Sequence, residues 1–285
     1  MNSTIVRDRR GISRIEAGVV LAILGLLVTL VVPAIQRARE SARQTQCGNT
    51  LKQLVLGLHN YHDAMRSFPY GCIGNSALPP ENRWSWYLCI GNYVGQYGTP
   101  MINYERPWDD PVLRPLQLRT WRNGPFEEFD VPLIPYPVIK CPNGTRETHS
   151  DGQPFADYVG TAGIAPDAAF LPRNSNRAGV WAYNECRSLS DMQDGTSSTV
   201  IAIETSSRNG CWIAGGSATV RDYLPDAVPI GPGRQFGGLH DRGSMAAFVD
   251  GHVSFLSDAT SPDVLSALLT IAGSEPESDS VVRPR

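Results

Sequence analysis

Ala17 to Gln36 reads AGVVLAILGLLVTLVVPAIQ and contains no charged residue. As a helix, twenty residues cover ~30 Å, the thickness of a bilayer's hydrocarbon core. A helix buried in a soluble protein rarely needs so long a run that is apolar on every face. Gly25 and Pro33 are poor choices for a soluble helix, whereas membrane helices tolerate both. The stretch therefore predicts a membrane-rooted helix. The whole-chain averages conceal it. The chain has 285 residues, a formal charge of −3 and 19% charged residues, and its mean hydropathy is slightly negative.

On the C-terminal side, Ala34 to Met65 contains no proline, and Leu51, Leu54, Val55, Leu58, Tyr61 and Met65 recur at helical spacing. One face packs and the other is wet. This predicts a single helix of about 50 residues, stopped at Ser67-Phe68-Pro69. On the N-terminal side, Arg7, Arg9 and Arg10 stand against one acid, Asp8, which favours a cytoplasmic N-terminus. Arg37, Arg39 and Arg43 beyond the run pull the other way. A cleaved secretory signal needs a small-residue site after its core, and Pro33-Ala34-Ile35-Gln36 is a poor match. A plain signal anchor fits the hydropathy equally well.

A third reading comes from Arg10-Gly11-Ile12-Ser13-Arg14-Ile15-Glu16, which resembles a type IV prepilin leader. The resemblance implies cleavage after Gly11 and methylation of Ile12 as the first mature residue. It makes Glu16 the fifth mature residue and Pro33 the twenty-second, where pilin-like helices carry a kink. Arg14 stands where that family usually has Leu, and Ala17-Gly18 replace a bulkier pair. A carboxylate in an apolar layer needs a cation. For Glu16 the resemblance supplies the amino terminus of Ile12 or of a neighbouring pilin. It also implies a prepilin peptidase, other pilin-like subunits and the lipid bilayer as partners.

Further along, Gln46-Cys47, Leu51-Lys52-Gln53-Leu54, Leu58 to Asp63, Ser67-Phe68-Pro69, Trp84-Ser85-Trp86, Cys141-Pro142, Asp157 to Gly160 and Asp194 to Thr199 resemble a large planctomycete family. That family is known as domain of unknown function 1559 and has a prepilin-type N-terminus. His240, nine residues and then Asp250-Gly251 resemble the H-X9-DG signature that accompanies it. The resemblance places the protein without implying an activity.

Beyond residue 66 the chain reads as a loop-rich α+β head. Nine prolines from Pro100 to Pro142 block helices and central strands, so residues 99–140 read as an insertion. Strands are expected at Asp157–Ala162, Thr199–Glu204, Met245–Val249 and His252–Leu256, and a helix at Pro262–Ala272. Asp250-Gly251 between apolar runs predicts a two-residue type I′ hairpin. The expected organisation is a leader over 1–11, a long helix over 12–66 (transmembrane at about 17–36), an exported head over 67–272 and a disordered tail over 273–285. The fold class is α+β, pilin-like, with the helix packed on an antiparallel sheet.

No G-x-S-x-G, H-E-x-x-H or P-loop occurs, and no catalytic residue, metal or cofactor is expected. His240, Asp250 and His252 could form a metal or acid–base cluster, but a turn made by Asp250-Gly251 with His240 capping a strand is the favoured reading. His59, His62 and Asp63 likewise read better as edge-of-core residues than as ligands. Six cysteines in an exported head suggest disulfides, with Cys186–Cys211 and Cys72–Cys89 expected because each closes a modest loop. Residues 1–66 carry nine basic and four acidic groups, +5, and the rest 16 and 24, −8, which argues against nucleic acid as a partner of the head. The reading is a single-pass protein of the cytoplasmic membrane, N-terminus inside and head in the periplasm or outside. As such it would be a non-catalytic pseudopilin-like subunit of a type II secretion or type IV pilus-like assembly. Two rivals remain. One is a tethered ligand-binding protein, with carbohydrate as one candidate ligand and a cleft lined by Trp84, Trp86, Trp181 or Trp212. The other is a tethered metal-dependent enzyme.

Overall fold

The computed structural model describes residues 14–94, 103–110, 136–144, 154–207, 210–225 and 228–273. The leader with Gly11 and Ile12, most of the proline-rich segment and the tail beyond Gly273 lie outside the described residues, as does the side chain of Glu16. Two compact units emerge, dividing after Ala42.

The first unit is the beginning of one continuous helix, α1 (Arg14–Met65), with Pro33 inside it. The expected helix of about 50 residues is thus present. It ends where Arg66 turns to φ 62°, just before Pro69.

The second unit is built on a five-stranded sheet of β3 (Tyr158–Ile164), β4 (Val200–Glu204), β5 (Val220–Tyr223), β6 (Gly243–Phe248) and β7 (Val253–Ser257), in the order β5-β3-β4-β6-β7. A small hairpin, β1 (Cys72–Ile73) with β2 (Trp84–Ser85), stands apart from it. The four expected strands all form, each within two residues of its expected bounds. They pair antiparallel: Tyr158 opposite Glu204, Ile203 opposite Ala246, Met245 opposite Phe255. The sheet is antiparallel as expected except at one edge. β5 adds parallel to β3, with Gly160 opposite Val220. A Val-Arg-Asp-Tyr strand has too little apolar alternation to be read from sequence. It is held because Arg221 finds acceptors in the buried Thr205 Oγ1 at 2.7 Å and the half-buried Ser207 carbonyl at 2.6 Å.

Alternation along β6 sends its side chains to two cores. Ala246 and Phe248 join Val159, Val200 and Ile203 beneath the C-terminal helix Pro262–Leu269, which contributes Leu265, Leu268 and Leu269. Ser261 caps that helix by accepting from Val264 N. Met245, Ala247 and Val249 face the other way, onto the stripe of α1 formed by Cys47, Leu51, Leu54, Val55 and Leu58. Those five α1 residues are 0% exposed, so the stripe read from spacing packs from Leu51 to Leu58. Tyr61 is only partly buried and Met65 is 57% exposed, so its last turn leaves the core. Gly48 gives the close approach: a Cβ there would sit 3.1 Å from the end of Met245.

Trp84, Trp86, Trp181 and Trp212 are all 0% exposed and fill this larger core. The Trp181 indole donates to the Ile201 carbonyl at 2.7 Å, and Trp86 to that of Thr219 at 3.1 Å. Gly160 lets Trp181 lie on β3, since a Cβ would come within 2.6 Å of the ring. The binding cleft lined by these tryptophans, which the ligand-binding rival calls for, is therefore not what they make.

The β6–β7 connection differs from the expected type I′ turn. Phe248 N donates to the His252 carbonyl and Gly251 N to that of Phe248, which leaves a three-residue loop of Val249, Asp250 and Gly251. Only Gly251 has positive φ (+93°), whereas a type I′ turn needs two such residues. The reason is tertiary. Val249 N donates to Thr199 O and Asp250 N to Thr196 O, so the loop is tied to the segment entering β4.

Candidate functional site

Between Val19 and Ile35, α1 exposes apolar side chains on every side. Leu21, Leu26 and Leu30 are 68%, 62% and 64% exposed. Water makes such a surface costly at ~25 cal/mol per Å². The helix from Gly18 onward is long and apolar enough to cross a membrane.

In the second unit, the chemistry concentrates around His240. Its ring is fully buried. Nε2 lies 3.4 Å from Cys141 Sγ and 3.4 Å from Glu204 Oε1, and Nδ1 lies 3.1 Å from the Asn143 amide. Cys47 of α1 is disulfide-bonded to Cys141, with Cα atoms 5.4 Å apart. The ligand atoms of Cys47, Cys141, Glu204 and His240 fall within 4.8 Å of one another, and all four residues are buried.

Each member is held from its own element. Cys47 sits on the packing stripe of α1. Cys141 follows the short helix Tyr136–Ile139, and its N–H donates to Asp157 Oδ2 at 3.0 Å. Asp157 Oδ1 in turn accepts from Lys140 Nζ at 2.9 Å, in a pair whose side chains are 1% and 7% exposed. Glu204 ends β4, where Oε2 accepts from Met245 N at 2.8 Å and Oε1 accepts no hydrogen bond. A buried carboxylate of this kind requires a positive or proton-bearing neighbour, and His240 is placed to be one.

The structure does not bring His240, Asp250 and His252 together. His240 belongs to the buried cluster. Asp250 and His252, both about a third exposed, pair with each other at 2.7 Å beside the turn. Asp250 Oδ1 also accepts from His252 N, as turn-forming aspartates do. Asp250-Gly251 is thus a turn, as favoured from sequence, but His240 does more than cap a strand. The sequence reading missed Glu204, Cys47 and Cys141 as its neighbours. One signal was available: Glu204 is the only acid in the apolar run Val200–Glu204.

The expected disulfides Cys186–Cys211 and Cys72–Cys89 are overturned. Cys72, Cys89, Cys186 and Cys211 are thiols, and the bond joins residues 94 positions apart. Loop length was a weak guide because closure entropy grows only slowly with it. His59 and His62 take packing roles. Both rings pack on Phe68, and His62 Nε2 accepts from Leu189 N at 3.3 Å. Burial lowers the His62 pKa.

A cleft of about 650 Å³ opens among Tyr70, Cys72, Arg83, Cys89, Tyr104 and Tyr183. Burial pushes the thiols of Cys72 and Cys89 up to about 11 and about 12, and the Tyr104 phenol to about 12. Arg83 is committed to Leu78 O, Ser76 O and Asn184 Oδ1. Burial there disfavours the thiolate form of both cysteines.

No curated protein and no solved structure matches this chain. Residues 36–223 match the family described as protein of unknown function (DUF1559), a span running from the end of the apolar run to the end of β5. It includes Cys47, Cys141 and Glu204 but stops short of His240. With well over half its length matched, the chain belongs to the DUF1559 family.

Proposed function

We propose that the protein is a non-catalytic, prepilin-processed, pseudopilin-like subunit of a type II secretion or type IV pilus-like assembly. Its N-terminus lies in the cytoplasm, its helix is rooted in the cytoplasmic membrane, and its head is exported. The observation that carries this reading is the division of labour along α1. One uninterrupted helix shows an all-round apolar surface at its start and a buried one-sided stripe from Cys47 to Leu58. A signal sequence that is removed has no need to continue as the core helix of the head.

The leader residues supply the rest. Cleavage after Gly11 exposes the Ile12 amine, whose charge suits Glu16 of an adjacent subunit in an apolar layer. The partners are then a prepilin peptidase, other pilin-like subunits through the N-terminal helix, and lipid. N-terminal mass spectrometry of the native protein tests the proposal. N-methylated Ile12 is the expected terminus. An intact Met1, or a start near residue 35, refutes it.

A further inference from the structure

We propose that Cys47, Cys141, Glu204 and His240 form a thiol-gated zinc site, which takes one Zn²⁺ when the two cysteines are reduced and releases it when they close as a disulfide. This does not depend on the pseudopilin reading.

The distances carry the argument. Zinc binds Cys sulfur at ~2.3 Å and His nitrogen or carboxylate oxygen at ~2.0–2.1 Å, in a tetrahedron whose edges therefore measure about 3.3–3.8 Å. The Cys141 Sγ to His240 Nε2 and His240 Nε2 to Glu204 Oε1 separations are both 3.4 Å, already tetrahedral edges. The sulfur–sulfur edge is too short, because those atoms are bonded, and every other pair of ligand atoms lies within 4.8 Å. Breaking that bond lets the sulfurs part to the remaining edge while their backbones stay in place.

The donor set fits the ion. Two thiolates, one imidazole and one carboxylate suit zinc and disfavour calcium or magnesium. Two thiolates and a carboxylate carry −3, and Zn²⁺ brings the buried cluster to −1. Supporting contacts are present as well. Asp157 and Lys140 hold the Cys141 backbone, and Met245 N holds Glu204 Oε2. With the amide turned so that its oxygen faces the ring, Asn143 accepts from Nδ1–H and leaves the Nε2 lone pair for the metal.

The redox step balances. A phosphine reduces the disulfide to two thiols and takes an oxygen from water. Zinc then displaces the two thiol protons. Glutathione disulfide reverses this: the two thiolates form the disulfide, their electron pair leaves as two glutathione thiolates, and Zn²⁺ is freed.

The test uses the full chain in detergent, reduced with a phosphine, freed of it without air, and titrated with Co²⁺ and then Zn²⁺. The expected result is one Co²⁺ per chain with a thiolate-to-cobalt charge-transfer band, displaced by Zn²⁺, and affinity at least about 100-fold weaker in the unreduced chain. Glutathione disulfide should abolish the band. Asn143→Ala should weaken binding about 10–100-fold, and Glu204→Gln should weaken it too. Equal affinity in reduced and unreduced wild type overturns the proposal, and this comparison needs no variant to fold. An unchanged band in Cys47→Ser overturns it as well, because other thiols then supply the sulfur.

Discussion

Cutting the Cys47–Cys141 tie should cost the head a large share of its stability. The perturbation is the double substitution Cys47→Ser with Cys141→Ser, which leaves Cys72, Cys89, Cys186 and Cys211 in place. The bond spans 94 residues. The entropy of closing such a loop in the unfolded chain, 2.1 + 1.5R ln n cal/mol/K, amounts to about 4.7 kcal/mol at 25 °C. Total stabilities of single domains lie at ~5–15 kcal/mol, so the variant should be marginal. Tryptophan fluorescence suits the assay, because four tryptophans are wholly buried. With a urea slope of ~3 kcal/mol/M, the midpoint should fall by about 1.5 M. Phosphine reduction of the wild type without metal should give the same shift. Midpoints of variant and wild type that agree within about 0.3 M would refute the reasoning, since a loop this long cannot be closed for so little.

Three further outcomes follow from the same structure. Asp157→Ala strands the buried Lys140 ammonium and should cost about 3–5 kcal/mol, as read from urea midpoints. Pairing it with Lys140→Met should recover most of that, and no recovery would show that the lost Cys141 N–H contact dominates. Leu24→Arg, in the middle of the apolar run, should cost about 3–4 kcal/mol of membrane insertion, seen as a shift into the carbonate-extractable fraction. The His62 pKa is depressed by burial, so the unfolded chain binds more protons below its usual 6.5. Stability should therefore be full above that pH and fall as the pH drops through it toward the folded value. His62→Gln, whose amide oxygen can still accept from Leu189 N, should flatten the profile when urea midpoints are compared across that range.

What could be read from sequence was what one-dimensional periodicity encodes. Leu51, Leu54, Val55 and Leu58 announced a face, Thr199–Glu204 a buried strand, and Asp250-Gly251 a turn. Periodicity said nothing of partners. Cys47 finds Cys141 because α1 and the segment after Ile139 meet beside β4, and no spacing reports that. β5 is invisible because its Arg221 looks like a loop residue until its acceptors on Thr205 and Ser207 are known. The hairpin loop came out one residue longer than expected because Val249 and Asp250 are claimed by Thr199 and Thr196. His240 and Asp250 share a motif spacing but not a location. The ring went into the core with a cysteine and a carboxylate, while the aspartate stayed at the turn.

The disulfide also decides how the protein bears load. A pull on the N-terminal end of α1 reaches the head at Cys47, the first fully buried residue of the packing stripe. Without a covalent tie, the helix from Cys47 to Met65 would peel from the sheet one turn at a time, each step breaking only a few contacts. With the tie, tension passes at once into Cys141, which is anchored through Asp157 at the start of β3. The chain between Cys47 and Cys141 is then closed off from the pull. A head fastened in this way can be dragged by its stem without being unravelled by it.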